Sequence, residues 1–210
     1  MILIGQYDSP FVRRVAVALK TYGFAYEHNK ASVWGHSEEI AKYNPLRRVP
    51  TLVMDDGEVL TESASMLAIL DDMVGPPRAT LARTGKTGRD LQRLSGFAAQ
   101  TAEKAVSLLY ERKLREAVFP LWADRCRAQV NETLDFLEAE RAGRATPWLF
   151  DERLSHADVV LATMLRFVAE ALADEFDLAS RPALKAHSAR AEALPVFQEA
   201  SQPFVLSQPK

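Results

Sequence analysis

Residues 1–23 read MILIGQYDSPFVRRVAVALKTYG, and this stretch predicts a strand, a tight turn and a helix. The apolar run from Met1 to Gln6 is long enough for a short strand, and Tyr7 to Pro10 closes it with turn-forming residues. After the turn, apolar residues recur at helical spacing until Gly23 ends the pattern, while the two adjacent arginines fall outside the apolar stripe. The chain therefore begins with a strand that leads directly into an amphipathic helix.

The segment that follows continues the alternation of strands and helices. Tyr26 to Asn29 is a weak second strand, and the polar stretch after it can hold a short helix. Thr51 to Met54 and Glu58 to Leu60 are expected to form a hairpin, after which Thr61-Glu62-Ser63 opens a helix. The resulting order, βαβ followed by ββα, predicts an α/β domain over residues 1–75.

The remainder of the chain predicts helices and no strand. Gly75-Pro76-Pro77 interrupts the pattern, so residues 76–87 are expected to be a linker and residues 88–210 an all-helical domain. Pro120 suits the first turn of one of the helices. Ser155-x-x-Asp158 has the spacing of a capping box before a strongly apolar segment, which is expected to form the buried centre of this half.

The composition indicates an ordinary globular chain and excludes several classes of partner. Of 210 residues, 48% are apolar and 26% are charged, and the formal net charge is -2. Because Lys and Arg are spread along the chain without a surplus, we expect neither nucleic acid nor a membrane surface as a partner. The single cysteine, Cys126, cannot form an internal disulfide, which indicates a reducing compartment, by default the cytoplasm. The four histidines stand far apart in sequence, so we expect no bound metal.

The junction between the first strand and helix is the first candidate site. Ser9 occupies the N-cap position and Pro10 the first helical position, so backbone N–H groups and the positive end of the helix dipole converge there. Such a position stabilises an anion, including the thiolate of a bound ligand, to which the Ser9 hydroxyl would donate a hydrogen bond. The alternative interpretation is that Ser9 only caps the helix.

Two further segments could complete a site for a peptide ligand. A cis peptide bond at Val49-Pro50, just before the third predicted strand, would let the Val49 backbone pair with an extended peptide, although most bonds before proline are trans. At the start of the next helix, Glu62 suits an ammonium group, while Ser63 and the adjacent N–H groups suit a carboxylate. An acid at a helix N-terminus also serves simply to balance the dipole.

Taken together, these segments resemble the cytosolic glutathione S-transferase superfamily, in particular its serine-type, bacterial-like members. The similarity spans essentially the whole chain and lies in five stretches, namely residues 9–15, 44–52, 60–63, 147–159 and 182–197. It implies a thioredoxin-like glutathione-binding domain followed by an all-helical domain. Glutaredoxins share the first of these folds but carry Cys-Pro-x-Cys where this chain has Ser9 to Val12, so thiol–disulfide exchange is not expected.

The resemblance assigns roles residue by residue. Ser9 matches the activating serine, with Phe11 in the same glutathione-binding motif. Val49 matches the backbone contact to the glutathione cysteine, and Pro50 matches the cis proline. Glu62 and Ser63 match the clamp on the γ-glutamyl group. Two further cationic positions complete the set of glutathione-binding residues, namely Arg48 and His36.

Two of these assignments have alternatives. His36 is matched across a variable loop, so a solvated surface histidine is the other interpretation. In tyrosine-type relatives the activating hydroxyl belongs to a tyrosine at the end of the first strand, and Tyr7 is close enough to compete with Ser9. Ser9 is preferred because it occupies the N-cap.

The resemblance also implies an activity. Glutathione would be the co-substrate of a transferase that joins its thiolate to a small hydrophobic electrophile, in a homodimer. The electrophile site could include aromatic residues that are equally suited to the core or to a dimer interface, namely Tyr110, Phe119, Trp122 and Phe204. Two alternatives share the same scaffold: a glutathione-binding protein without turnover, and a glutathione-dependent reductase, dehalogenase or isomerase.

Overall fold

The computed structural model describes residues 1–206, which divide into two compact units. The first unit comprises Met1–Ala82 together with the described residues from Leu194 onward, and the second comprises Arg83–Ala193. Within the described residues, no helix is both long and apolar enough to cross a membrane. The same residues contain no group of three or more His, Cys, Asp or Glu side chains that could hold a metal ion.

The first unit is built on a mixed sheet. Its described strands are β1 (Ile2–Ile4), β2 (Glu27–Asn29), β3 (Thr51–Val53) and β4 (Val59–Thr61), arranged in the order β2-β1-β3-β4. β1 is parallel to β2 and antiparallel to β3, and β3 is antiparallel to β4. The helices of this region are α1 (Pro10–Tyr22), α2 (Ser37–Ala41) and α3 (Ser63–Val74). This is the thioredoxin-like order predicted from the sequence, and the prediction is confirmed.

Helix α1 is buried on more sides than its sequence pattern predicts. Its apolar stripe, which includes Val12 and Leu19, is fully buried, and the helix packs against α3. Arg13 and Arg14, expected outside that stripe, are also buried, at 2% and 4% exposure. A guanidinium group can be buried when its donors are satisfied by protein acceptors, and both of these have such partners.

The second unit consists of helices, with no strand among residues 83–193. Its helices are α4 (Gly85–Lys113), α5 (Pro120–Ala142), α6 (His156–Ala171) and α7 (Pro182–Glu192). Helix α6 is buried along most of its length and packs against α4 and α7, so it forms the centre of this unit as predicted. Its capping box is formed as well: the Ser155 hydroxyl accepts from the Asp158 N–H, and the Asp158 carboxylate accepts from the Ser155 N–H.

The segment after Leu194 differs from its expected place in the helical domain, because it packs in the first unit. It forms α8 (Pro195–Glu199), which lies against α1. The Arg13 guanidinium donates to the carbonyls of Phe197 at 2.9 Å and Ala200 at 2.7 Å, and the Phe197 side chain is fully buried. These bonds satisfy a buried cation on α1, which explains why the segment returns to this unit.

The predicted linker over residues 76–87 is also partly structured. Leu81 is 1% exposed, and its N–H donates to the Tyr22 hydroxyl at 3.2 Å, so this part of the segment belongs to the first unit. Helix α4 already begins at Gly85. The connection between the units is therefore shorter than the sequence suggested, because an isolated apolar residue gives no periodic signal of burial.

Candidate functional site

The register of the sheet brings the three candidate segments to one edge. Ile4, the last residue of β1, is paired with Thr51, the first residue of β3, and Thr51 is paired with Thr61, the last residue of β4. Ser9 follows β1, Val49 and Pro50 precede β3, and Glu62 and Ser63 follow β4. Segments that lie far apart in sequence, from Ser9 to Ser63, therefore leave the sheet at neighbouring points.

Ser9 has the geometry of an N-cap residue. Its backbone is extended, with φ -70° and ψ 124°, and Pro10 is the first residue of α1. Its side-chain oxygen accepts a hydrogen bond from the Val12 N–H at 3.4 Å, which is long for such a bond. Because this bond uses a lone pair, the hydroxyl hydrogen remains available to donate. The predicted role of Ser9 as a donor to a thiolate is therefore compatible with its capping role.

Tyr7, the competing hydroxyl, is engaged inside the first unit. Its side chain is 8% exposed, and its hydroxyl lies 2.7 Å from the Tyr26 hydroxyl. Its ring stacks on His28 with the centroids 3.8 Å apart. Burial, followed by the hydrogen bond to Tyr7, raises the pKa of Tyr26. These contacts favour Ser9 over Tyr7 as the residue whose hydroxyl would donate a hydrogen bond to a thiolate.

The peptide bond between Val49 and Pro50 is cis, as the sequence analysis expected. The loop before it is held by Asn44, whose side chain is 2% exposed. The Asn44 amide nitrogen donates to the Arg48 carbonyl and to the Thr51 hydroxyl, each at 3.1 Å. Asn44 lies in one of the stretches that carry the family resemblance, but no role is predicted for it from the sequence, although a buried asparagine in a turn is a common organiser of loops.

Gly5 allows the turn after β1 to approach this loop closely. Its φ is 132°, a conformation that other residues rarely adopt. A Cβ atom at this position would lie 2.4 Å from Val12 Cγ2 and 2.8 Å from Val49 Cβ. The start of α1 and the Val49 segment can therefore come together only because this residue has no side chain.

Glu62 and Ser63 form the start of α3. Glu62 is the N-cap residue, at a φ of 67°, and its Oε2 accepts from the N–H groups of Ala64 at 3.0 Å and Ser65 at 3.1 Å. Ser63 is 3% exposed, and its hydroxyl oxygen accepts from two nitrogens of Arg14, with Nε at 3.0 Å. Arg14 is thus part of the candidate site at the start of α3. No role was predicted for it, because its position in the sequence does not reveal a partner 49 residues away.

The remaining predicted residues lie nearby in sequence and differ in their surroundings. Arg48 is exposed and directly precedes Val49. Phe11 is half-buried, and the Arg14 guanidinium carbon lies 5.3 Å from its ring centre. His36 is exposed, and its Nδ1 accepts from the Ser32 N–H at 3.2 Å, within its own loop. This contact supports the interpretation of His36 as a surface histidine.

The aromatic residues suggested for the electrophile lie in both units. Phe119 and Trp122 in the second unit are 57% and 36% exposed, and Tyr110 is half-buried. Phe204 is half-buried in the first unit. Cys126 is fully buried, and burial raises the pKa of its thiol, which makes it a core residue with little nucleophilic character, as expected.

Comparison with known proteins identifies the family. The family model described as "Glutathione S-transferase, N-terminal domain" matches residues 3–78, and the one described as "Glutathione S-transferase, C-terminal domain" matches residues 120–190. Together they cover more than half of the chain, in the order in which the two units occur. The chain belongs to the glutathione S-transferase superfamily. This confirms the resemblance and the two-part fold predicted from the sequence.

Bacterial members of the superfamily are among the relatives. The chain is 28% identical over 166 residues to the uncharacterized GST-like protein YibF of Escherichia coli K12, covering 78% of this chain and 77% of that protein. It is 30% identical over 126 residues to the glutathione S-transferase GstA of Escherichia coli O157:H7, covering 59% of each. These glutathione S-transferase relatives therefore include a named transferase and a protein named only for its likeness to one.

Solved glutathione S-transferase structures have the same fold. One from Methylobacterium radiotolerans, in complex with glutathione sulfonate, has a TM-score of 0.90 at 23% identity and covers 100% of this chain and 97% of its own. A family member from Pseudomonas fluorescens Pf-5, with bound glutathione, has a TM-score of 0.80 at 27% identity and covers 97% and 99%. Both of those proteins were solved with glutathione or its sulfonate.

Proposed function

We propose that this chain binds glutathione on its first unit and transfers the glutathione thiolate to a small hydrophobic electrophile. The observation that carries the proposal is the convergence of Ser9, the cis Val49-Pro50 bond and the start of α3 at one edge of the sheet. Relatives solved with bound glutathione support the choice of ligand.

In this proposal each segment recognises one part of an extended tripeptide. The Val49 backbone pairs with the backbone of the glutathione cysteine in the manner of an added strand. Glu62 and Ser63 receive the ammonium and carboxylate of the γ-glutamyl group, and exposed Arg48 receives the glycine carboxylate. The cysteine side chain then extends toward the N-terminus of α1.

Ser9 and the start of α1 would ionise the thiol. A free thiol with a pKa near ~8.5 is only a few per cent ionised at neutral pH. Lowering that pKa by about two units requires roughly 2.7 kcal/mol of preference for the anion. A hydroxyl donor to a charged group supplies about 1.5–3 kcal/mol, and the helix terminus roughly 0.3–1 kcal/mol more. The two together are sufficient, and the released proton goes to solvent.

Catalysis then consists of lowering this pKa and holding the two reactants together. The thiolate sulfur forms a bond to an electrophilic carbon, from which a leaving group departs with the bonding electrons. No thiol of the enzyme is needed, in keeping with the burial of Cys126. We extend the proposal to a cytoplasmic location and to a homodimer, which is the usual state in the superfamily. Sedimentation of the purified protein would test the dimer.

Two measurements on the purified chain test this function. The first is binding, by calorimetric titration of glutathione and by retention on immobilised glutathione with elution by the free tripeptide, which excludes non-specific retention. The second is conjugation of an aryl halide in the presence of glutathione. We expect binding and turnover. Retention without turnover on a panel of electrophiles would favour a non-catalytic binding protein, and the absence of both would contradict the proposal.

A further inference from the structure

Two neighbouring arginines of α1 are both buried but serve different partners. Arg13 is 2% exposed and bonds the carbonyls of Phe197 and Ala200, in the segment that follows the second unit. Arg14 is 4% exposed and reaches the start of α3, where two of its nitrogens donate to the Ser63 hydroxyl oxygen. Only the second of these contacts involves a residue of the candidate site.

The contact with Arg14 determines what the Ser63 hydroxyl can do. A hydroxyl oxygen has two lone pairs and one hydrogen, and a guanidinium group has donors but no acceptor. Since two Arg14 nitrogens donate to this oxygen, both lone pairs are engaged and the hydrogen must point elsewhere. Ser63 is thereby restricted to donating, so it suits a ligand acceptor such as a carboxylate oxygen. The positive charge on its partner strengthens that donation.

Arg14 also offsets the charge of Glu62. Its Nη2 lies 3.8 Å from Glu62 Oε1, while Glu62 Oε2 is held by the N–H groups of Ala64 and Ser65. A ligand carboxylate at the start of α3 would otherwise approach another carboxylate, and like charges at such distances repel. With the guanidinium between them, an ammonium group can meet Glu62 while a carboxylate meets Ser63.

We propose that Arg14 is a positioning residue for the α-carboxylate of the γ-glutamyl group. It acts through Ser63, whose hydroxyl it orients as a donor, and through Glu62, whose charge it balances. This inference rests on the proposed binding of glutathione. It adds Arg14 as the residue that lets the site recognise both charged groups of the γ-glutamyl head group, the ammonium and the α-carboxylate.

The test compares glutathione with an analogue that lacks only the α-carboxylate, in which γ-aminobutyryl replaces γ-glutamyl. Calorimetry on the wild-type chain should show that glutathione binds at least about ten-fold more tightly than the analogue, since a hydrogen bond to a charged group changes the affinity by that factor or more. Arg14→Met should reduce this preference to within roughly two-fold. The change should come mainly from weaker binding of glutathione, because the analogue has no carboxylate for Ser63 to bind. Arg14→Lys, which cannot make the paired donation, should give an intermediate preference.

Arg13→Met is the matched control, because it removes an equally buried guanidinium from the same helix. Both Met variants should lower the midpoint of urea unfolding, but only Arg14→Met should change the preference between the two ligands. Should Arg14→Met fail to fold, Arg14→Lys carries the comparison. The inference is overturned if the Arg14 variants keep the full preference, or if Arg13→Met loses it equally. Absence of glutathione binding by the wild-type chain would instead refute the proposed function itself.

Discussion

Replacing Ser9 with alanine should raise the pKa of the bound glutathione thiol while leaving the tripeptide in place. Among the described residues, the Ser9 oxygen accepts one hydrogen bond, a long one from the Val12 N–H at 3.4 Å, so its hydrogen can be directed to the sulfur. Loss of a hydrogen bond to an anion costs about 1.5–3 kcal/mol. At about 1.36 kcal/mol per pKa unit, the thiol pKa should rise by roughly one to two units.

The rate should follow the fraction of thiolate. At a pH below both pKa values, turnover with an aryl halide should fall by about ten- to a hundred-fold, while glutathione affinity changes by only a few-fold. The cost to folding should be near the low end of the ~0.5–2 kcal/mol usual for lost caps, because the capping bond is long. The assay is a pH titration of the ultraviolet absorbance of the bound thiolate, combined with the pH profile of kcat/KM.

Two further variants separate Ser9 from its competitor. Ser9→Thr keeps a hydroxyl and should retain most of the lowered thiol pKa. Tyr7→Phe removes the hydroxyl that is bonded to Tyr26, and it should leave the thiol pKa unchanged. If the thiol pKa in Ser9→Ala equals the wild-type value while the thiol pKa in Tyr7→Phe is raised, the reasoning is refuted and the role belongs to Tyr7. No change in either variant would assign the stabilisation to the backbone amides of α1.

Three other perturbations test the packing inside each of the two units. His187 is buried, and burial lowers its pKa from 6.5 to about 4. The stability that its neutral form contributes is therefore complete above pH 6.5 and is lost as the pH falls toward 4. His187→Gln should flatten this part of the plot of unfolding free energy, measured in urea, against pH. Asp158→Ala leaves two buried backbone N–H groups unbonded and should cost roughly 1–3 kcal/mol for each, measured by the same unfolding at neutral pH. Gly5→Ala forces Val12 and Val49 apart and should lower both stability, by about 1–3 kcal/mol, and glutathione affinity; unchanged calorimetric binding would contradict the close approach described here.

Much of the first unit could be predicted because its signals are local. Ser9-Pro10 marks the start of α1, and the turn between β3 and β4 follows from Asp55-Asp56-Gly57. Likewise, the spacing of Ser155 and Asp158 predicted the capping box that the structure contains. Each of these depends on residues within one turn or one hairpin, where the propensities of single residues decide the conformation.

The features that were missed depend on partners distant in sequence. The pattern of α1 placed its arginines outside the apolar stripe, but Arg13 is satisfied by carbonyls near residue 200, and Arg14 by the hydroxyl of Ser63. Periodicity also cannot tell on which unit a short helix packs, so α8 was expected in the helical domain. The role of Asn44 was missed for the same reason, since its side chain bonds a loop whose path the sequence leaves open.

Because α8 packs in the first unit, it affects the order in which the two units can finish folding during synthesis. Residues 194–206 emerge only after all of residues 83–193 have been synthesised, so the helical unit is complete in the nascent chain before the sheet unit. Until then the Arg13 guanidinium lacks the carbonyls of Phe197 and Ala200, and α1 exposes the surface that α8 covers. We therefore expect the first unit, although its translation begins first, to complete its packing after the second unit.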